Sequence, residues 1–182
     1  MSNPPPVVNG KVIAGYFANW SIYDRNYNIV DVAINADKLT HILYAFANIQ
    51  ENGEVVLGDA WADKDKHFPP EQTIDGKGDV WSEDDSGKLF GNFKQLYLLK
   101  QRHRHLKVSL SIGGYSWSSN FAGIAADPQK RSVFIQSAIK HLADLGLDGI
   151  GTLTDRYNLL IFLKKLDIDW EFPKDEQEAL SY

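Results

Sequence analysis

The chain has 182 residues, of which 43% are hydrophobic, with a formal net charge of −5 and no cysteine. This length is enough for one domain with a real core, and the acidic balance gives no reason to expect a nucleic-acid partner. The absence of cysteine excludes disulfides and zinc–thiolate sites.

The first residues, Met-Ser-Asn-Pro-Pro-Pro-Val-Val, show no targeting signal. They lack a charged region followed by a long apolar run, and no stretch of the chain reaches the roughly 18 apolar residues of a membrane span. We therefore expect no membrane partner and a soluble protein that stays inside the cell or leaves it by an unconventional route. Residues 1–10 are expected to form a flexible tail, because three consecutive prolines start neither a helix nor a central strand.

Strands and helices are predicted to alternate along the chain. Apolar runs predict strands at Val12–Trp20, Ile42–Ile49 and Val108–Gly113, the first of them buried. A long loop is predicted from about Glu51 to Gly87, and loops of this length are usually functional or disordered. The alternation of elements indicates parallel βαβ units in an α/β fold.

Two helices are predicted from their periodicity and end signals. The first spans Leu89–His103 and has a core face of Phe93, Leu96 and Leu99. The second begins at Asp127-Pro128, where an N-cap residue precedes a first-turn proline, and ends before Gly146. Its core face is predicted to contain Val133, Phe134, Ala138, Ile139, Leu142 and Leu145.

The segment Asp167–Pro173 reads Asp-Ile-Asp-Trp-Glu-Phe-Pro and is the most informative in the chain. On a β-strand, Asp167, Asp169 and Glu171 would line one face at spacings of about 6.6 Å. Carboxyl groups this close cannot all ionise freely, so at least one would stay protonated and could act as a general acid. A solvated acidic surface and a divalent-metal site are the alternatives, although a loop supplies cation ligands more naturally than a strand.

This motif resembles the active-site strand of glycoside hydrolase family 18, the chitinase-type hydrolases, whose signature reads D-G-x-D-x-D-x-E. Other segments resemble the family in the same order: Gly15–Trp20 the first barrel strand, Thr40–Ile49 the second, and Lys107–Gly114 the S-x-G-G strand. The resemblance implies an α/β fold that is a partial (β/α)₈ TIM barrel with strands 1–4 only. Residues 11–182 would then be a truncated catalytic domain of this family.

The resemblance also implies a reaction, the retaining hydrolysis of β-1,4-linked N-acetylglucosamine polymers with the substrate's own acetamide as nucleophile. Glu171 would protonate the glycosidic oxygen, Asp169 would orient the acetamide, and Asp167 would share a proton with Asp169. Ser111 and Gly113 are expected to serve tight packing beneath these acids. The partner would be chitin or a chito-oligosaccharide, and neither a metal nor an organic cofactor is implied.

Aromatic residues at matching motif positions are expected to hold the substrate, because sugar rings stack on aromatic faces. By motif position, the substrate-binding residues are Tyr16, Phe46, Gly114 and Tyr115. Ordinary barrel packing is an equally good interpretation for Phe46, and many relatives carry Trp in place of Tyr115. For Trp61 and Trp81, packing and glycan contact both stay open.

The chain departs from the family pattern in two respects. Asp148-Gly149-Ile150 supplies the first half of the motif, and the 16 residues Gly151–Leu166, which have no counterpart in the family, separate it from Asp167. We hypothesise that this segment is a translated intron or a similar gene-model error; if it is genuine, Leu166 would replace Ile150 at the start of the strand. The second departure is that the chain ends after the fourth strand. We therefore expect it to be poorly stable alone, weakly active or inactive, and able to self-associate through unpaired sheet edges.

Two functions other than catalysis stay open. A chitinase-like lectin would bind the glycan without cleaving it, but such lectins commonly lack the terminal acid of the motif, which Glu171 supplies here. An inactive truncated fragment is the other alternative, and the early end of the chain favours it.

Overall fold

A computed structural model describes residues 12–82, 85, 87–151 and 167–169. The described strands are β1 (Ala14–Ala18), β2 (His41–Ile49), β3 (Val55–Leu57), β4 (Lys107–Gly113), β5 (Gly149–Gly151) and β6 (Asp167–Asp169). The described α-helices are α1 (Ile29–Ala33), α2 (Gly91–Arg102), α3 (Phe121–Ala126) and α4 (Pro128–Asp144). Short 3₁₀ helices lie at Asn19–Ile22 and Pro70–Gln72, and a π-helical turn lies at Trp61–Asp65. The predicted tail at residues 1–10 and the predicted acid Glu171 lie outside the described residues.

The strands follow the order β1-β2-β4-β5 in the sheet, with β3 antiparallel to β2 and β6 parallel to β4. The chain divides into two compact units. The first unit comprises Met1–Leu43 and Asp59–Val108, and the second comprises Tyr44–Gly58 and Ser109–Tyr182. Within the described ranges, no helix has the length and apolar character that crossing a membrane requires.

In the first unit, α2 has the predicted core face, since Phe93, Leu96 and Leu99 are all at most 1% exposed. The helix begins at Gly91 rather than at the predicted Leu89. The backbone N–H of Gly91 donates to the carbonyl of Lys66 at 2.9 Å, so it is used outside the helix. Gly91 also has a φ of +59°, which favours glycine at this helix start.

The prediction of a buried first strand over Val12–Trp20 is wrong in both length and burial. β1 ends at Ala18, and its burial is limited because Tyr16 is 47% exposed. After Ala18 the chain enters a 3₁₀ turn, in which Ser21 donates from Oγ to the carbonyl of Tyr27 at 2.8 Å. This side-chain bond draws the backbone out of the extended conformation before the predicted end of the strand.

In the second unit, part of the predicted loop over Glu51–Gly87 is in fact β3. This strand forms a hairpin with β2, in which Ile49 pairs with Val55, and Gly53 makes the turn with a φ of +95°. The other side of β3 is covered by α4, because the Val55 N–H donates to Ser137 Oγ at 2.9 Å and the Val55 carbonyl lies 2.9 Å from Nε2 of His141.

The ends of α4 agree with the prediction from the sequence. The Asp127 side chain accepts from the backbone N–H groups of Gln129 and Lys130, and Gly146 has a φ of +64° directly after the C-cap. The predicted core face is only partly correct. Phe134, Ala138 and Leu145 are buried, whereas Val133 is 37% and Ile139 58% exposed. Those two residues each lie about 100° around the helix from a buried neighbour, so the apolar stripe is narrower than predicted.

Candidate active site

The centre of the candidate site is the parallel pairing of β4 with β6 in the second unit. Ser111 pairs with Asp167, Ile112 with Ile168, and Gly113 with Asp169. The two acidic positions of the motif therefore lie beside the last residues of β4, at its carboxyl end. In parallel α/β proteins, this end of the strands carries the binding and catalytic groups.

The same edge of β4 also binds β5, at positions directly before those that bind β6. Ser109 pairs with Gly149 and Leu110 with Ile150. Five consecutive residues of β4 are therefore paired, first with β5 and then with β6. No position of β4 is skipped, although Gly151–Leu166 lie between the paired residues of β5 and β6. Ile150 keeps its place in the ladder as the partner of Leu110, and Leu166 lies outside the described residues.

Ser111 carries a buried hydroxyl group at this pairing. Its side chain is fully buried, and Oγ has no hydrogen-bond partner among the described residues. A buried hydroxyl without a partner costs free energy, so such a group calls for an explanation. Position 167, where the family motif has an acid, is the partner of Ser111 across the ladder.

The loop after β4 brings together two residues predicted to bind substrate, Gly114 and Phe46. Gly114 has a φ of +74°, and a Cβ atom at this position would lie 3.0 Å from Cε2 and Cζ of the Phe46 ring. The absence of a side chain therefore lets the half-buried ring lie directly against the backbone. The peptide bond between Ala45 and Phe46 is cis.

Tyr115, the next predicted residue, is 81% exposed. Two hydrogen bonds hold the turn that carries Tyr115. Ser118 Oγ donates to the Gly114 carbonyl at 2.7 Å, and the Trp117 N–H donates to the same oxygen at 3.2 Å. The Trp117 ring in turn leaves no room for a side chain at Gly58, where a Cβ atom would lie 2.6 Å from the ring. A fixed turn therefore presents an aromatic ring to solvent.

Tyr16, the remaining substrate-binding residue predicted, lies in the first unit on β1. The same unit exposes Trp20 by 49% and Tyr23 by 44%. The Tyr23 hydroxyl donates to Oδ2 of Asp59 at 2.7 Å, and burial together with this carboxylate raises the pKa of Tyr23 to about 12. The phenol is therefore held as a neutral donor.

The buried carboxylate of Asp63 forms a hydrogen bond with the backbone of Asp59. Asp63 is fully buried and accepts hydrogen bonds from Nδ2 of Asn19 at 3.1 Å and from the Asp59 N–H at 3.2 Å. Asp59 also accepts from the Ala62 N–H at 3.0 Å. The sequence prediction missed this network, since its hydrogen bonds Asn19–Asp63 and Tyr23–Asp59 join residues 44 and 36 positions apart, which only folding brings together.

Two exposed tryptophans lie next to each other in the first unit. The rings of Trp61 and Trp81 are 6.4 Å apart with an angle of 22° between their planes, and they are 48% and 67% exposed. His67, which the sequence prediction also missed, stacks on Trp81 at 3.6 Å. These ring contacts leave 48% of Trp61 and 67% of Trp81 exposed to solvent.

The chain resembles known proteins over most of its length. Residues 12–182 match the family model described as "Glycosyl hydrolases family 18". Endochitinase 1 of Metarhizium robertsii is 41% identical over 180 residues, which cover 96% of this chain and 36% of that protein. Chitinase 1 of Aphanocladium album is 40% identical, over 94% of this chain and 34% of that protein.

Among solved structures, the catalytic domain of psychrophilic chitinase B from Arthrobacter TAD20 has a TM-score of 0.70 and 32% identity. The match covers 91% of this chain and 41% of that one. This similarity confirms the predicted α/β class and partial (β/α)₈ barrel. The chain spans about a third of the length of the two relatives named above.

Proposed function

Because the chain belongs to the family 18 glycosyl hydrolases, we propose that the protein hydrolyses β-1,4-linked N-acetylglucosamine polymers by the retaining, substrate-assisted route. The unbroken ladder on β4 carries this proposal, because it puts positions 167 and 169 at the carboxyl end of a parallel strand. The relatives named endochitinase and chitinase support the same class of substrate.

Each acid of the motif has a separate role in the proposed reaction. Glu171 protonates the glycosidic oxygen as the acetamide carbonyl of the substrate attacks the anomeric carbon. Asp169 orients the acetamide and stabilises the positive charge that develops on it, and Asp167 shares a proton with Asp169. The buried Ser111 hydroxyl, which is the ladder neighbour of Asp167, would donate a hydrogen bond to this carboxylate.

Each unit has exposed aromatic rings of its own that would contact a glycan. In the second unit these are Tyr115 and the half-buried Phe46, whose position depends on Gly114. In the first unit Tyr16, Trp61 and Trp81 are between 47% and 67% exposed. Large aromatic side chains that stay in water are suited to stacking on sugar rings, because that contact removes their apolar faces from solvent.

The test is the substitution Glu171→Gln in the protein expressed from the full open reading frame. We expect reducing-end release from colloidal chitin to fall at least about 100-fold, since a general acid contributes 10²–10⁴ to the rate. Binding to chitin should persist, because the amide keeps the shape of the side chain. The matched control is Glu51→Gln, the same change at an exposed turn residue. Unchanged release by the Glu171 variant would refute its role as the acid.

A lectin or an inactive fragment is the alternative, and the exposed aromatic rings favour the lectin of these two, because they suit glycan binding. A wild-type protein that binds chitin but releases no reducing ends would identify the lectin. Absence of both binding and release would identify the inactive fragment. The intact acidic motif at Asp167, Asp169 and Glu171 favours the enzyme over both.

Self-association through sheet edges is a separate proposal. Among the described strands, β1 stands at the end of the strand order beside β2, and a strand in this position is the usual place for a sheet to pair with a second copy. Sedimentation equilibrium over a tenfold range of protein concentration tests this, and a mass that stays monomeric throughout would contradict it.

A further inference from the structure

His67 lies between two aromatic rings in the first unit. Its imidazole centroid is 3.6 Å from the Trp81 ring at an interplanar angle of 12°, and 3.9 Å from the Phe90 ring at 28°. The His67 side chain is 5% exposed and Phe90 is 8% exposed, whereas Trp81 is 67% exposed. The three rings form a stack that runs from the core to the solvent, and Trp81 is its outer layer.

A hydrogen bond at Nδ1 orients the imidazole of His67. Nδ1 lies 3.0 Å from the backbone carbonyl of Asp65, a group that can only accept, so Nδ1 carries the hydrogen. Nε2 is buried without a hydrogen-bond partner among the described residues and lies 3.4 Å from Oδ2 of Asp85, which accepts from the Ser82 N–H at 2.8 Å. Rotation of the ring would lose the bond to Asp65 and the stacking on Trp81, so both contacts favour the observed plane.

The backbone on each side of the stack is joined by a pair of hydrogen bonds. The Phe68 N–H donates to Oδ2 of Asp79 at 2.9 Å, and the Asp79 N–H donates to the Phe68 carbonyl at 2.8 Å. Lys94 forms an ion pair with the buried Asp79 carboxylate, and its Nζ lies 5.1 Å from the centroid of Phe90. Because His67 precedes Phe68 and Trp81 follows Asp79 by two residues, these bonds hold the stacked rings side by side.

We infer that His67 is a positioning residue for glycan binding: it covers the inner face of Trp81 and so presents the outer face of the indole to an N-acetylglucosamine ring. The inference rests on the proposed function, in which Trp81 is part of the glycan-binding surface. An exposed indole without this support would lose rotamer freedom when the sugar binds, and that loss weakens affinity. The neighbouring Trp61 ring, 6.4 Å away, suits this surface to a chain of sugars rather than to a single residue.

The test is calorimetric titration with the N-acetylglucosamine hexamer, with every variant made in the Glu171→Gln background so that the ligand is bound but not cleaved. His67→Ala should weaken the Kd about tenfold, which corresponds to about 1.4 kcal/mol, because the stack that supports the indole is lost. His67→Phe keeps a flat ring between Trp81 and Phe90 and should restore the Kd to within about twofold of wild type. The matched control is His103→Ala, which removes an imidazole that contacts the ring of His105 instead, and which should leave the Kd unchanged. If His67→Phe binds as weakly as His67→Ala, stacking is not the mechanism.

The variant Trp81→Ala separates this inference from the proposed function. If it leaves the Kd unchanged, the indole is not part of the glycan surface and the proposed function fails at this residue. If it weakens binding while His67→Ala does not, only the positioning role is wrong. In a Trp81→Ala background, His67→Ala should add nothing, because it acts through the indole. If His67→Ala weakens binding equally in the presence and absence of Trp81→Ala, its effect does not pass through the indole. That result would indicate a general effect on the fold and overturn the inference.

Discussion

Ser111 of β4 pairs with Asp167 of β6 at the ladder position directly after the pairing of Leu110 with Ile150. From the pairing at Leu110 to the pairing at Ser111, the position on β4 advances by one residue. On the opposite strand it advances from Ile150 to Asp167, so the 16 residues 151–166 lie between the two paired positions. Pairing in a parallel sheet is specified by which residues face the core, and a slip of one position would reverse every side chain. The register of the active-site strand is therefore the one that an uninterrupted motif would have.

Deleting Gly151–Leu166 should stabilise the protein, because β5 and β6 would become one continuous strand. The chain-entropy cost of joining two paired segments grows with the number of residues between them and is about 2 kcal/mol for 16 residues, a cost that the deletion removes. We expect the free energy of unfolding from urea denaturation to rise by about this amount. We also expect chitin hydrolysis to be at least as fast as in the wild type, since Asp167 keeps its partner Ser111.

A second deletion, of Thr152–Leu166 alone, is the matched control. It retains Gly151 and so adds one residue to the joined strand, which shifts the acids by one position and turns them to the opposite face. This variant should lose stability and activity relative to the first. Equal stability of the two deletion variants would show that the register seen here does not govern folding.

Local signals in the sequence predicted the elements that surround the site. Asp127 and Gly146 marked the ends of α4 correctly, because capping depends on residues within one helical turn. The predicted core face of α2 was also correct. The apolar residues of this helix recur at a helical period because only one face of the helix is buried. The split motif was predicted to resume at Asp167, and the pairing of β6 with β4 agrees with that.

Features that depend on contacts between distant residues could not be predicted in this way. The three residues of β3 are too few to show a period, and the strand is held by Ser137 and His141, more than 80 residues away. The stack of His67 on Trp81 likewise has no local signal, because 14 residues separate the two rings in sequence. The exposed side of Ile139 reflects which neighbours α4 packs against, which periodicity alone does not determine.

Replacing Ser111 by alanine should lower activity, because the proposed hydrogen bond to Asp167 would be lost. The hydroxyl is buried and has no partner among the described residues, and the change to alanine removes it without altering the backbone of β4. Chitin hydrolysis should fall about tenfold if the hydroxyl donates to Asp167, since a hydrogen bond to a charged group contributes about 1.5–3 kcal/mol. The control is Ser109→Ala on the same strand, where the ladder partner is Gly149 rather than an acid. Equal activity of the two variants would rule out the proposed bond.

Replacing Gly114 by alanine should destabilise the protein more than the same change at Gly76. Both glycines have a φ of +74°, but the space beside Gly76 is open, whereas a Cβ at Gly114 would lie 3.0 Å from the Phe46 ring. Left-handed backbone strain should cost about 1 kcal/mol in each variant. Displacement of the ring should add about 1–3 kcal/mol at Gly114 alone. Urea denaturation of the two variants measures this difference, and equal losses would mean that the ring moves aside without cost.

Replacing Tyr23 by phenylalanine should change how stability depends on pH at the alkaline end. The pKa of Tyr23 is raised to about 12 in the folded protein, against about 10 for an ordinary tyrosine, so the unfolded chain loses the phenolic proton first. The contribution of the Tyr23–Asp59 bond to stability is therefore fully present below about pH 10 and is lost as the pH rises towards 12. The difference in free energy of unfolding between wild type and Tyr23→Phe should shrink across this window. The exposed Tyr97→Phe serves as the control, and a wild-type advantage that stays constant from pH 9 to pH 12 would show that Asp59 does not hold the phenol in its neutral form.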